Sequence, residues 1–452
     1  MRISDTKKLA KPHPLRRPAE KERALLGLGS AVGLVVANMV GAGVFLSAGF
    51  MAQDLGPLPI LVTWALGLFL AMCGALGYAK VAELVPRSGG EYRYLSELLH
   101  PALGYLAGWA SMLVGFSGPV AIDALAAGSF AKTLIPAVEP RVFGSAVIVI
   151  TSVVHATNLR ASRWGQNALV LAKVVLLIGF AAACLGFGSW RWPTWEPPNG
   201  SGFSLPAVGT ALFYVAFAFS GYNAAIYAAE ELRSPRHTLP RALLIGCSAV
   251  GVLYLLINWE FISNLTPKRV SAVFAYEETR VTLAHLIASD LFGKTGGRLV
   301  SFLLIVVFCS AASAMSFLGP RVVSEMAKDG FLPGALAARG DGPPRGAVLL
   351  QAMLALVILW TQPFQHVVHD VGAILTLFSA LTLLGLFRRR PRVEQSSIRI
   401  HRVAAAVFIA SAAGMLYYGF RAKTQLVLWI CAVAGAALLG YWGSRAAKRP
   451  IR

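Results

Sequence analysis

Two long uncharged stretches of this chain are each broken by glycine near the middle, and nothing else in the sequence constrains the fold as much. The first break reads Gly41-Ala42-Gly43-Val44-Phe45 inside the uncharged stretch 24–53, and the second Phe219-Ser220-Gly221-Tyr222-Asn223 inside 203–229. Each stretch is long enough to cross ~30 Å of hydrocarbon as a helix. Glycine in a helix interior costs about 1 kcal/mol relative to alanine. Unwound backbone in hydrocarbon costs more, unless it lines a cavity enclosed by protein. Two interrupted spans in corresponding places of two halves point to a transporter whose ligand sits at the bilayer midplane.

The rest of the chain has the same character. Hydrophobic residues fill 56% and charged residues only 14% of the 452 positions, too apolar a balance for a soluble protein. Uncharged or nearly uncharged stretches of span length recur at 24–53, 55–79, 101–131, 142–159, 164–190, 203–229, 242–259, 299–320, 347–365, 371–387, 403–420 and 424–444. They predict an all-α integral membrane protein with 12 transmembrane helices. Transmembrane β-strands would be half as long and would alternate apolar with polar residues; these stretches do not.

A net charge of +20 invites a nucleic-acid reading, but the positions of the charges oppose it. With the N-terminus in the cytoplasm, 30 of the 41 Lys and Arg residues fall in inside segments and 10 in outside loops, with Lys173 inside a span. That is the positive-inside bias. The basic charge therefore orients the chain in a lipid bilayer, and no nucleic-acid partner is expected. Both termini are expected in the cytoplasm, as a basic tail 1–23 and a short tail 445–452. The first apolar run is too long for a signal-peptide h-region, and a bacterial-type inner membrane is the expected location. Cys73, Cys184, Cys247, Cys309 and Cys431 are odd in number and scattered in or beside the spans. That pattern suits neither a disulfide framework nor a metal site.

Spans 1–5 (24–190) and 6–10 (203–387) each open with a glycine-broken member. Because five is odd, the second set lies in the opposite orientation, an inverted repeat. Spans 11 and 12 (403–444) fall outside it.

Between spans 2 and 3 the chain reads Tyr78-Ala79-Lys80-Val81-Ala82-Glu83-Leu84-Val85-Pro86-Arg87-Ser88-Gly89-Gly90-Glu91-Tyr92-Arg93-Tyr94. This resembles the signature loop of the amino acid–polyamine–organocation superfamily, in particular its L-type amino acid transporter-like branch. Three further places agree. Gly41-Ala42-Gly43-Val44-Phe45 resembles the family's G-S-G-I-F break. Phe217-Ala218-Phe219-Ser220-Gly221-Tyr222-Asn223, followed by Glu230-Glu231 and Pro235, resembles F-A-Y-x-G-W-N…E-E…N-P. Arg321 with Met326-Ala327-Lys328-Asp329-Gly330-Phe331-Leu332-Pro333 resembles R…M-A-R-D-G-x-L-P. The chain departs from the pattern at Ala42, where many members carry Ser or Thr, and at Lys80, where many carry Glu.

The resemblance implies a LeuT-type 5+5 inverted repeat plus two extra helices, with no cofactor. It implies transport of amino acids or related amines by alternating access, with spans 1 and 6 rocking against spans 3, 4, 8 and 9. Sodium-independent exchange or proton-coupled transport is the expected mode. A polyamine or cationic amino acid antiporter is the alternative within the superfamily. A membrane-embedded enzyme would need clustered His, Asp and Glu at a membrane face, and only His366, His369 and Asp370 approach that. A non-transporting sensor would normally append a soluble domain.

The expected substrate site follows from the breaks. A half-helix beginning near Gly43 presents unpaired N–H groups and the positive end of a helix dipole, which suit a carboxylate. The carbonyls around Met39–Gly41 suit an ammonium. An α-amino acid carries both groups on one carbon. Gly41, Ala42, Gly43, Phe217, Ala218, Phe219, Gly221 and Asn223 are thus the expected substrate-binding residues. By the resemblance, Phe217 falls where relatives place an aromatic lid, and Asn223 where a polar side chain lines the pocket. Close helix packing is the competing reading of the glycines.

Ionisable residues within spans are functional candidates by default. Lys173 lies nine residues after Trp164, roughly 13 Å into span 5. By the resemblance, a lysine here stands in for a bound sodium ion. Ser310 and Ser313 of span 8 are candidates to face the first break, against the reading that serine is common in membrane helices. Asp123 lies in span 3, roughly 10 Å from its outer end, and is a candidate for pairing with a lysine, for titrating or for selecting cationic substrates; lining a wet outer vestibule with no specific role is the competing reading. Glu230 and Glu231 end span 6 and are expected to make gate or loop contacts. No metal ligand is expected.

Overall fold

The computed structural model describes residues 26–85, 89–157, 159–198, 203–265, 270, 276–340, 342–388, 395–422, 435, 438 and 441–442. The terminal tails, the side chains of Glu230 and Glu231, and nearly all of the predicted span 424–444 lie outside them. Among the described residues, extended pairing is confined to one isolated bridge, between Leu26 and Leu232.

In chain order the helices are α1 (Leu28–Met39), α2 (Ala42–Met51), α3 (Pro57–Leu84), α4 (Gly90–Leu98), α5 (Pro101–Ala110), α6 (Ser117–Leu134), α7 (Pro140–Thr157), α8 (Leu159–Phe187) and α9 (Leu205–Phe219). Then follow α10 (Pro235–Asn264), α11 (Glu277–Val281), α12 (Leu283–Lys328), α13 (Arg345–Thr361), α14 (Phe364–Arg388) and α15 (Gln395–Ala422). A π-helical turn (Ser111–Phe116) joins α5 to α6, so the two form one continuous span. Among the described residues, 9 helices are long and apolar enough to cross a membrane; Leu171–Phe187 and Arg345–Thr361 are shorter apolar helices.

Local chemistry sets the element ends. Pro57, Pro101 and Pro235 open α3, α5 and α10, where a missing N–H costs nothing. The Ser204 hydroxyl caps α9 by accepting from the Ala207 N–H at 3.2 Å. Gly89 and Gly90 take φ values of 118° and 56°, a left-handed pair that only glycine adopts without strain. That turn leads the chain into α4, which packs against α5 and α14. Span 8 extends through the whole of α12, a 46-residue element bent at Gly293, whose φ is 71°.

α4 is anchored where two sequence motifs meet. Arg93 pairs with Asp329 at 3.1 Å and Glu325 at 3.5 Å, and the Tyr92 hydroxyl donates to Asp329 at 2.5 Å. The signature loop and the Met326–Pro333 segment, far apart in sequence, thus close one end of the bundle together. The Arg233 N–H donates to the Leu26 carbonyl at 2.9 Å, tying the start of the first broken span to the end of the second.

Candidate functional site

The first break is a sharp one. α1 ends at Met39, Val40 turns extended (φ −79°, ψ 101°), and Gly41 is the N-cap of α2 (φ −144°, ψ −156°). Both poles of the break are held by charged side chains. The buried Lys173 ammonium donates to the Ala37 carbonyl at 2.8 Å and the Val40 carbonyl at 2.5 Å. The Asp123 carboxylate accepts from the Ala42 N–H at 2.7 Å. Asp123 therefore does not face an outer vestibule: it caps the N-terminus of α2, where a helix dipole favours a negative charge. Lys173 is the cation that faces it across the break.

The second break differs from the expected form. α9 stops at Phe219, and the chain continues as a 3₁₀ helix over Ser220–Glu231. The interruption is a change of helical pitch rather than an interval of open backbone. A 3₁₀ run of this length within a span is unusual and marks a functional hinge or strain.

The two breaks cross against each other. A Cβ on Gly221 would run into the Asn38 carbonyl and the Met39 nitrogen. A Cβ on Gly43 would lie 2.7 Å from the Ala218 Cα and 3.1 Å from the Phe217 Cδ1. Both glycines thus serve close backbone approach here. The Tyr254 hydroxyl of α10 reaches the Met39 carbonyl at 2.5 Å and the Ala218 carbonyl at 3.2 Å. One proton is shared between the carbonyls of the two breaks.

A cavity of about 70 Å³ opens beside the second break. Asn38, Phe219, Gly221 and Asn223 line one side; Leu70, Met315 and Phe408 make much of the rest apolar. Glu91 of α4 also lines it and is only 2% exposed. Its Oε1 accepts from the Tyr78 hydroxyl, from the Ser379 hydroxyl at 3.2 Å and from the Asn223 amide at 3.5 Å. Burial pushes its carboxyl up to about 7, against the hydrogen bonds from Tyr78 and Ser379, which pull it down.

The expected residues fall into three groups. Gly41, Ala42 and Gly43 gather at the first break with Lys173 and Asp123. Phe219, Gly221 and Asn223 face the cavity, whereas Phe217 and Ala218 pack against Gly43. The span 8 serines do not reach Lys173. A Cβ on Gly41 would lie 3.3 Å from the Ala311 Cβ, not against a serine. Ser313 meets His155 of α7 at 2.9 Å, and the buried Ser310 hydroxyl has no hydrogen-bond partner among the described residues. Sequence reasoning missed Tyr254 and Glu91. Glu91 sat inside the signature loop, and a carboxylate followed by Tyr92 and Tyr94 was its only signal.

The family model for amino acid permeases matches residues 26–439. Among curated proteins, the chain is 26% identical over 408 residues to the b(0,+)-type amino acid transporter 1 of Oryctolagus cuniculus, covering 86% of this chain and 80% of that one. It is 26% identical over 381 residues to the large neutral amino acids transporter small subunit 2 of Homo sapiens (80% and 68% covered). It is likewise 26% identical over 424 residues to the Asc-type amino acid transporter 1 of Mus musculus (87% and 76% covered).

Proposed function

Since the chain belongs to the amino acid permease family, we propose that it carries amino acids across a membrane at the crossing of its two broken spans. The observation that carries this reading is the pairing of poles at the first break. The Ala37 and Val40 carbonyls, each bonded once by Lys173, keep a second lone pair for a ligand ammonium, and the first-turn N–H groups of α2 beyond Ala42 remain for its carboxylate, the arrangement an α-amino acid complements. Lys173 and Asp123 hold those groups in position. The ligand's side chain points into the cavity lined by Phe219 and Asn223.

The same contacts support alternating access. Gly43 lies against Ala218, so a ligand at the break must part α2 from α9. We place these helices in a LeuT-type 5+5 repeat of twelve spans in an inner membrane, both termini cytoplasmic, supported by the basic residues counted above. Lys173 takes the place of a sodium ion, and transport is sodium-independent. The named relatives carry amino acids, which favours transport over an enzymatic role.

A thermal-shift screen of the purified protein against the proteinogenic amino acids and common polyamines tests the reading. A ligand that binds the folded state raises stability by about 2.7 kcal/mol at a hundredfold excess over Kd. Small neutral or large neutral amino acids are expected to raise the melting temperature and to drive counterflow in proteoliposomes. Stabilisation by none of them would overturn the proposal.

Asp123 gives a second test. Asp123→Asn keeps an oxygen for the Ala42 N–H but removes the charge facing Lys173. It is expected to melt close to wild type while uptake falls by about tenfold or more, the equivalent of ~1.4 kcal/mol. Asp123→Ala also loses the cap, worth about 1 kcal/mol, and is expected to melt lower. Normal uptake by both variants would show Asp123 to be dispensable.

A further inference from the structure

We infer that Glu91 is a proton-binding site of the transport cavity, and that its proton couples movement of α4 to transport. The inference rests on the transport reading above and extends it to the coupling ion.

Among the described residues, Glu91 is buried without a cation to hold it ionised, which favours the protonated form over the pull of its hydrogen-bond donors. All three donors converge on Oε1; among the described residues no hydrogen bond or ion pair reaches Oε2. The groups around it are uncharged polar side chains. α3 contributes Tyr78, the 3₁₀ segment Tyr222, Asn223 and Tyr227, and α14 Ser379. On its own helix, the Tyr92 hydroxyl is engaged with Asp329, Arg93 with Glu325 and Asp329, and Tyr94 packs against Tyr78. No described Lys, Arg or His side chain acts on the carboxyl. A buried carboxylate without a cation is costly, and neutralisation removes the cost. With a proton on Oε2, Glu91 stays seated while Oε1 keeps its donors. Glu91 lines the cavity, which gives that proton a place to exchange.

Loss of the proton changes the balance. An ionised carboxylate needs water or a cation, and it reaches either by withdrawing α4 from the cavity. α4 carries the Tyr92 and Arg93 contacts that close that end of the bundle onto α12. Asn223 connects Glu91 to the second break, beside the cavity into which the ligand's side chain is proposed to point. Proton occupancy and ligand occupancy are thereby read by neighbouring groups. The neutral acid favours the closed end, and the anion favours its opening.

Two measurements on the full-length protein test this. The first is the melting temperature of wild type and Glu91→Gln across pH. The native carboxyl at about 7 lies above its ordinary value of 4.5, so the native state binds more protons than the unfolded chain between them. Wild-type stability therefore falls as pH rises through that window. The glutamine side chain keeps an acceptor oxygen and does not titrate. The melting temperature of Glu91→Gln relative to wild type is expected to climb from below pH 5 to above pH 7 and then level off. A difference that is constant with pH overturns the proton site.

The second measurement is proteoliposome transport of the best-binding amino acid under an imposed pH gradient, compared with exchange at equal pH. Wild type is expected to accumulate substrate with the gradient. Glu91→Gln is expected to lose the gradient-driven part down to the level of protein-free liposomes while exchange remains measurable. Gradient-driven accumulation equal to wild type, or a wild type indifferent to the gradient, overturns the coupling. Should Glu91→Gln neither fold nor exchange, Glu91→Asp decides. A displaced pH midpoint of its uptake supports the site, and an unmoved midpoint overturns it. If wild type exchanges no amino acid, the transport reading fails by itself, and the melting series still reports on the proton.

Discussion

Lys173→Ala is expected to remove most uptake, and replacing external sodium with choline is expected to leave wild-type uptake unchanged. The ammonium is fully buried at 0% exposure and bridges α8 to the Ala37 and Val40 carbonyls. Its deletion orphans two buried acceptors, each at a cost of about 1–3 kcal/mol, and leaves Asp123 facing no cation. The end of α1 loses the tie that sets the angle of the break, so the substrate carbonyls lose their positions. A bound sodium ion would supply the same tie reversibly; a lysine supplies it permanently, which is why the cation requirement should vanish. Radiolabelled uptake in sodium and in choline media checks both halves. Uptake that tracks sodium, or a fully active alanine variant, would leave Lys173 as a packing residue.

Gly43→Val is expected to abolish substrate binding in a protein that still assembles in the membrane. The added Cβ would sit 2.7 Å from the Ala218 Cα and 3.0 Å from its Cβ. Because the first of these is backbone, relief requires α2 and α9 to separate. Overpacking of this kind costs about 1–3 kcal/mol, enough to weaken the fold without destroying it. The displaced helices would no longer bring the two breaks together. Gly33→Val is the matched control, since nothing lies within 4 Å of a Cβ there, and it is expected to transport normally. Ligand-induced thermal stabilisation and uptake, measured on both variants, read the comparison. Unchanged uptake by Gly43→Val would move the site away from this crossing.

Much of the fold was legible because it depends on local properties. Span length and apolarity follow from the thickness of the bilayer, and each of the first eleven predicted stretches overlaps a helix. Glycine marked both interruptions, since no other residue tolerates the backbone contacts at Gly43 and Gly221. Lys173 stood out because a charge that deep must find acceptors. The form of the second break was not legible: a 3₁₀ helix and an open coil make the same demands on Phe219–Asn223.

By itself, then, the sequence determined the helical class, the two breaks and the intramembrane lysine, all of which rest on solvation and on backbone freedom within a few residues. Only the tertiary structure decided which side chains serve those breaks. Asp123 is 81 residues from the amide it caps, Tyr254 is 215 from the Met39 carbonyl, and Ser379 is 288 from Glu91. A carboxylate or a tyrosine in a span has the same local sequence whether it meets lipid, cavity or backbone. The crossing of helices chooses among them, and that crossing is set by packing between segments that no periodicity within either one encodes.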